Sequence, residues 1–98
     1  MFIINLTYKV TLEAVDKYLK QHVEYLDEQY KAGKFIISGR KNPKVGGIII
    51  STVLDEKELQ DIIEKDPFKI HDLADYEIIE FMPSKSSEEL KFMLPVKK

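Results

Sequence analysis

Apolar residues alternate from Phe2 to Tyr8, with Phe2, Ile4 and Leu6 on one side and Ile3, Asn5 and Thr7 on the other, which predicts a first strand. The period then lengthens. Thr11 offers a capping hydroxyl, and Leu12, Val15, Leu19, His22, Val23, Leu26 and Tyr30 follow at helical spacing until Gly33 supplies a left-handed stop, so one long amphipathic helix is expected. Phe35-Ile36-Ile37-Ser38 reads as a short apolar strand, and the turn-rich run from Gly39 to Lys44 joins it to a second strand, Gly46 to Val53, as a hairpin. Asp55 and Glu58 make a capping box before Leu59, Ile62 and Ile63, which give a shorter helix one buried face. Pro67 disfavours helical geometry at Asp66 and ends that helix there. After a connector from Phe68 to Ala74, with room for one helical turn, Tyr76 to Met82 forms the last main strand and Pro83 closes it.

The order β-α-β-β-α-β predicts an α+β domain of ferredoxin-like topology over residues 1–83: four mostly antiparallel strands with two helices on one face. The other face would lack cover, yet its residues are also apolar, Ile48 and Ile50 among them. Two such sheets packed face to face make a dimeric α+β barrel, so a homodimer is expected. Residues 84–98 form a C-terminal extension. Its Ser86 to Glu89 spacing is that of another capping box, and Leu90, Phe92, Met93 and Leu94 are apolar enough to dock on the domain or on a partner subunit.

Ninety-eight residues leave room for one core only. With 15 basic and 17 acidic side chains the net charge is -2, so no field draws the chain to nucleic acid. Cysteine is absent, which removes disulfides, thiolate nucleophiles and sulfur-ligated zinc together. The opening Met1-Phe2-Ile3-Ile4-Asn5-Leu6 has neither the basic region nor the long apolar run of a signal peptide, and no stretch approaches the ~20 apolar residues of a membrane span. A cytoplasmic protein is the expectation. Two distant histidines and scattered carboxylates give no metal-ligand spacing, and Gly46-Gly47 is neither a dinucleotide fingerprint nor a phosphate loop. No metal or cofactor is implied, no serine nucleophile elbow is present, and the paired glycines read as permitting a bulge or a close strand approach.

Chemistry points first to His22, in the middle of the first helix's apolar stripe. A core-facing imidazole is either a satisfied structural group or a general acid or base, because its charge changes near neutrality. Asp66, before Pro67 and Phe68, is either a turn residue or a carboxylate that fixes the histidine's tautomer. Arg40, after Gly39 at a strand end, has a planar donor fork suited to a carboxylate or enolate, against the alternative of a solvated loop arginine. Phe68 is either packing or the wall of a small apolar pocket. His71, in a polar connector, reads as solvent-facing.

His22 on a long first helix, Gly33, the strand end Ile36-Ile37-Ser38-Gly39-Arg40, and Asp66-Pro67-Phe68 after the second helix together resemble the YciI-like family, the YCII-related domain, over about Met1 to Pro83. The resemblance implies a ferredoxin-like dimeric α+β barrel with His22 and Asp66 as the catalytic pair. Ser38, Arg40 and Phe68 are then candidates to bind a small cyclic or aromatic ligand. Some relatives are dehydrochlorinases of chlorinated hydroxyhydroquinones, and the fold resembles that of muconolactone isomerase, so proton transfer of lyase or isomerase type is the implied chemistry. The chain departs from the commoner pattern after Phe68: Lys69-Ile70-His71-Asp72-Leu73 stands where many relatives carry an Ala-Gly pair. A non-catalytic small-ligand module and a dimer with a purely structural histidine are the competing readings.

Overall fold

In the computed structural model, which describes residues 1–94, the elements run β1 (Phe2–Tyr8), α1 (Leu12–Asp16), α2 (Leu19–Lys31), β2 (Phe35–Arg40), β3 (Gly46–Ser51), α3 (Glu56–Ile63), α4 (Pro67–Ile70) and β4 (Ala74–Glu80), followed by a 3₁₀-helix at Glu88–Met93. The strands form one sheet in the order β2-β3-β1-β4, and every neighbouring pair is antiparallel. This is the ferredoxin-like α+β arrangement expected from the pattern. The described residues of one chain form an open sheet and not a closed barrel.

The helices all lie on the sheet face carrying Phe2, Ile4, Leu6 and Ile49, and these side chains meet Val15, Tyr25, Leu59, Ile62, Ile63 and Phe68 in one core. Burying each large apolar side chain contributes about 1.5–3 kcal/mol, so this single layer carries most of the stabilisation. Across the opposite face runs an apolar row, Ile37–Ile50–Ile3–Ile79, in direct cross-strand register. Its outer members Ile37 and Ile79 are exposed. Beside the row, Asn5 donates from Nδ2 to Glu77 at 3.1 Å.

Four local details differ from the sequence expectation. The long first helix is two. Thr11 caps α1 as expected, but Tyr18 leaves helical geometry (φ -113, ψ 5), its N–H tightens onto the Val15 carbonyl, and its ring stacks on His71 at 4.0 Å. The break rotates α2 so that His22 and Tyr25 are buried while Leu19 and Val23, members of the expected stripe, are exposed. Second, β2 continues to Arg40, and β4 starts at Ala74, two residues early, because Asp72 turns the chain with positive φ (57) and Leu73 at once accepts from Lys9 N–H.

Third, the expected capping boxes are incomplete. Asp55 accepts from Lys57 N–H, but Glu58 pairs with Lys34 at 2.6 Å, and in the tail Ser86 bonds to the Ser87 carbonyl. Last, Gly46 is the close-approach glycine: a Cβ there would lie 1.8 Å from the Leu6 carbonyl oxygen. The bulge, however, falls elsewhere, in β2 between Phe35 and Ile37. In the tail, Phe92 is exposed while Met93 and Leu94 are half-buried, and the three line an apolar groove together with Met1, Phe35 and Met82.

Candidate functional site

The bulge decides which β2 side chains can reach the helix side. Strict alternation from Phe35 would turn Ile37 and Gly39 toward the helices and Ser38 and Arg40 away. With the extra residue, Ile37 pairs with Ile50 on the open face, whereas Ser38 and Arg40 pair with Ile49 and Gly47 on the helix side. Opposite them stands α2, with His22 aimed inward. The space between is a cavity of about 170 Å³, lined by His22, Ser38, Arg40 and Phe68 together with apolar residues such as Leu6 and Ile49. Leu19 and Val23 form part of its rim, which explains why two leucine-like positions remain exposed.

Asp66 sits at the junction of α3 and α4 as the N-cap of α4, with Pro67 in the first helical position. Its carboxylate is 1% exposed and has three partners. Oδ1 meets His22 Nδ1 at 2.7 Å and accepts from Phe68 N–H at 3.0 Å, and Oδ2 accepts from the Tyr76 hydroxyl at 2.6 Å. An ionised carboxylate only accepts, so His22 carries its proton on Nδ1 and the neutral ring keeps its lone pair on Nε2. Nε2 has no hydrogen-bond partner among the described residues. The imidazole also lies flat on Phe68, with ring centres 3.9 Å apart and planes 3° apart. Carboxylate on one edge and phenyl on one face therefore fix the ring in both position and tilt.

Two tyrosines complete the surroundings. Burial first, and the Asp66 charge second, push the Tyr76 and Tyr25 phenols well above the usual range, so both stay protonated. Tyr76 is thereby a donor to Asp66, and Tyr25 donates to the Ile62 carbonyl at 2.8 Å, tying α2 to α3. Tyr8, also on the cavity wall, is raised by burial, while the Arg40 guanidinium acts in the opposite direction. Ser38 shares a short hydrogen bond with Tyr30. Arg40 itself is exposed and has neither an ion pair nor a side-chain hydrogen bond among the described residues.

The structure thus brings His22 and Asp66 into contact, and places Ser38, Arg40 and Phe68 around the same cavity as His22. His71 is exposed and stacks on Tyr18 instead. Sequence reading missed Tyr76 and Tyr25. Alternation in the last strand puts Tyr76 on the face of Ile78, and Tyr25 follows His22 by three helical positions, so both had a signal, but one overshadowed by the neighbouring aliphatics. Among the described residues no group of three histidine, aspartate or glutamate side chains could hold a metal ion, and no helix is long and apolar enough to cross a membrane. The wider groove under the tail, about 690 Å³, is lined by no ionisable side chain among the described residues.

Comparison with known proteins agrees with this architecture. The sequence profile of the YCII-related domain matches residues 1–82. A similar solved structure is 5-chloro-2-hydroxyhydroquinone dehydrochlorinase from Burkholderia phenoliruptrix AC1100, in complex with 2,5-dihydroxybenzoquinone. It superposes with a TM-score of 0.72 over 82% of this chain and 91% of that one, at 18% identity, a likeness of fold. No curated protein sequence matches.

Proposed function

Starting from the fact that the chain belongs to the YCII-related domain family, we propose that it is a small-molecule enzyme of lyase or isomerase type, with His22 as general base and Asp66 as its orienting carboxylate. The observation that carries this reading is the 2.7 Å contact between His22 Nδ1 and Asp66 Oδ1 on the wall of a cavity. Nε2 takes a proton from a carbon next to a carbonyl, or from a phenol. In an isomerisation the electron pair left behind is reprotonated one position along by the imidazolium. In an elimination it expels halide from a neighbouring tetrahedral carbon of the keto tautomer, and the imidazolium then gives its proton to solvent, so that H⁺ and halide leave together. Asp66 stabilises that imidazolium, and Tyr76 and Phe68 N–H keep Asp66 aimed at it. Proton in and proton out balance without an oxidant or reductant.

The fold neighbour is a dehydrochlorinase of a chlorinated hydroxyhydroquinone, which supports a substrate of that general kind: small, cyclic and activated by ring oxygens. Ser38, Arg40 and Phe68 are the residues we assign to holding it. The test is to incubate the protein in heavy water with a panel of enolisable and halogenated single-ring compounds, following deuterium uptake by NMR and halide release by electrode. Wild type should turn over at least one of them, and His22→Ala should lose about 100- to 10,000-fold of that rate. Undiminished rate in His22→Ala would overturn the assignment. Binding without turnover anywhere in the panel would favour a ligand-binding module.

A further inference from the structure

We infer that the cavity beside His22 selects a one-ring carboxylate, with Arg40 as the anchor of its charge, an inference that rests on reading this cavity as the ligand site. Size comes first. A cavity of about 170 Å³ lies below the ~300 Å³ at which ordinary drug-sized pockets begin, and close to the ~150 Å³ that accepts a benzene ring. The enclosed part is therefore of a size for one six-membered ring, and its mouth is open to solvent. The walls suit a ring's faces: Leu6 and Ile49 rise from the sheet, and Phe68 lies beneath the imidazole.

Charge comes second. Among the described residues no carboxylate lines the cavity: Asp66 is sealed and accepts from three donors, and Asp16 lies in the adjoining hollow that Tyr8 and Arg40 also line. What faces the ligand is the His22 ring, the Tyr8 phenol, the Ser38 hydroxyl and the Arg40 guanidinium. Asp66 behind His22 and Asp16 in the adjoining hollow are the negative groups close to this set, and neither lines the cavity. Arg40 is exposed at the edge of the cavity and makes no ion pair among the described residues, so its guanidinium is open to an anion there.

Geometry comes third. Arg40 pairs directly with Gly47, and both line the cavity. The missing side chain at Gly47 leaves the sheet surface open next to the guanidinium. A Cβ there would stand 3.1 Å from the Gly39 carbonyl oxygen and would take up part of that opening. A planar two-oxygen anion matches the arginine fork, and a ring attached to it extends toward His22. Arg40 is thus a specificity residue, distinct in role from the proton-transferring His22.

The test uses the full chain and three probes: benzoate, its neutral isostere benzamide, and acetate, which has the charge without the ring. Chemical-shift mapping and calorimetry at neutral pH should show benzoate bound roughly 10- to 100-fold more tightly than either benzamide or acetate. Arg40→Gln should bring benzoate down to the benzamide level with little change in benzamide itself, and Arg40→Lys should restore part of the difference. His22→Ala should keep the preference for benzoate, which separates this inference from the catalytic one. Equal affinity for benzoate and benzamide, a preference that survives in Arg40→Gln, or no binding of either ring below about 10 mM would overturn the inference. Any of these results with His22-dependent turnover intact would leave the proposed function standing.

Discussion

Replacing Asp66 by alanine and by asparagine should have very different consequences, and the structure gives the reason. Three donors converge on a carboxylate that is 1% exposed: His22 Nδ1–H, Phe68 N–H and the Tyr76 hydroxyl. Alanine leaves all three without an acceptor, at about 1–3 kcal/mol for each buried group left unsatisfied. Some relaxation and water entry reduce the sum, so a loss of about 3–5 kcal/mol is expected. A domain of this size has only about 5–15 kcal/mol in total, so the alanine variant should be close to unfolding. Asparagine keeps the shape. Its amide oxygen can take the Oδ1 role toward His22 and Phe68, and its NH₂ can donate to a Tyr76 hydroxyl that turns to accept. The loss should then be about 1–2 kcal/mol, reflecting removal of charge from the hydrogen bonds.

The assay is equilibrium urea denaturation of wild type, Asp66→Asn and Tyr76→Phe, with Asp66→Ala included where it folds. Tyr76→Phe removes one donor and leaves the ring's packing, so it should fall by about 1–3 kcal/mol with an unchanged slope. Nitrogen NMR of the His22 ring adds a readout that stability alone does not give: the proton should sit on Nδ1 in wild type and stay there in Asp66→Asn, whose amide oxygen still accepts from it. Asparagine as damaging as alanine, or a wild-type ring protonated on Nε2 alone, would refute the picture of a carboxylate that orients the imidazole.

Other consequences follow from features away from the pair. We propose that the open-face row Ile37–Ile50–Ile3–Ile79 pairs with a second copy of the chain; light scattering at micromolar concentration should give about twice 11.4 kDa, and Ile50→Lys should return a folded monomer. Deleting residues 84–98 should lower the melting temperature, because Met93 and Leu94 are partly buried against the groove that holds Phe35 and Met82; an unchanged melting temperature would show the tail to be idle. Tyr8, Tyr25 and Tyr76 all resist ionisation in the fold, whereas in the unfolded chain they ionise near 10.0. Stability should therefore be complete below that value and fall as pH rises above it, with a shallower fall in Tyr76→Phe, as read from urea midpoints across alkaline pH.

Much of the architecture was already determined by the sequence, because local chemistry is enough for it. Alternation of Phe2, Ile4 and Leu6 defines a half-buried strand whatever its neighbours, and Asp66-Pro67 ends one helix and caps the next through the fixed proline φ and the carboxylate's reach to Phe68 N–H. The placement of His22 on an inward helix face was legible for the same reason. Tertiary structure decided the rest. No glycine or proline marks the break at Tyr18, which arises where its ring settles on His71, 53 positions along the chain by number, and that break chooses Tyr25 over Val23 for the core. The His22–Asp66 contact spans 44 residues and exists only because α2 and α4 pack on the same sheet face. Tyr76 joins it from the last strand. Above all, a single extra residue in β2 turns Ser38 and Arg40 toward the cavity rather than away from it. Strand pairing sets such a register through hydrogen bonds to a distant partner, and the period of one strand's own residues carries no record of it.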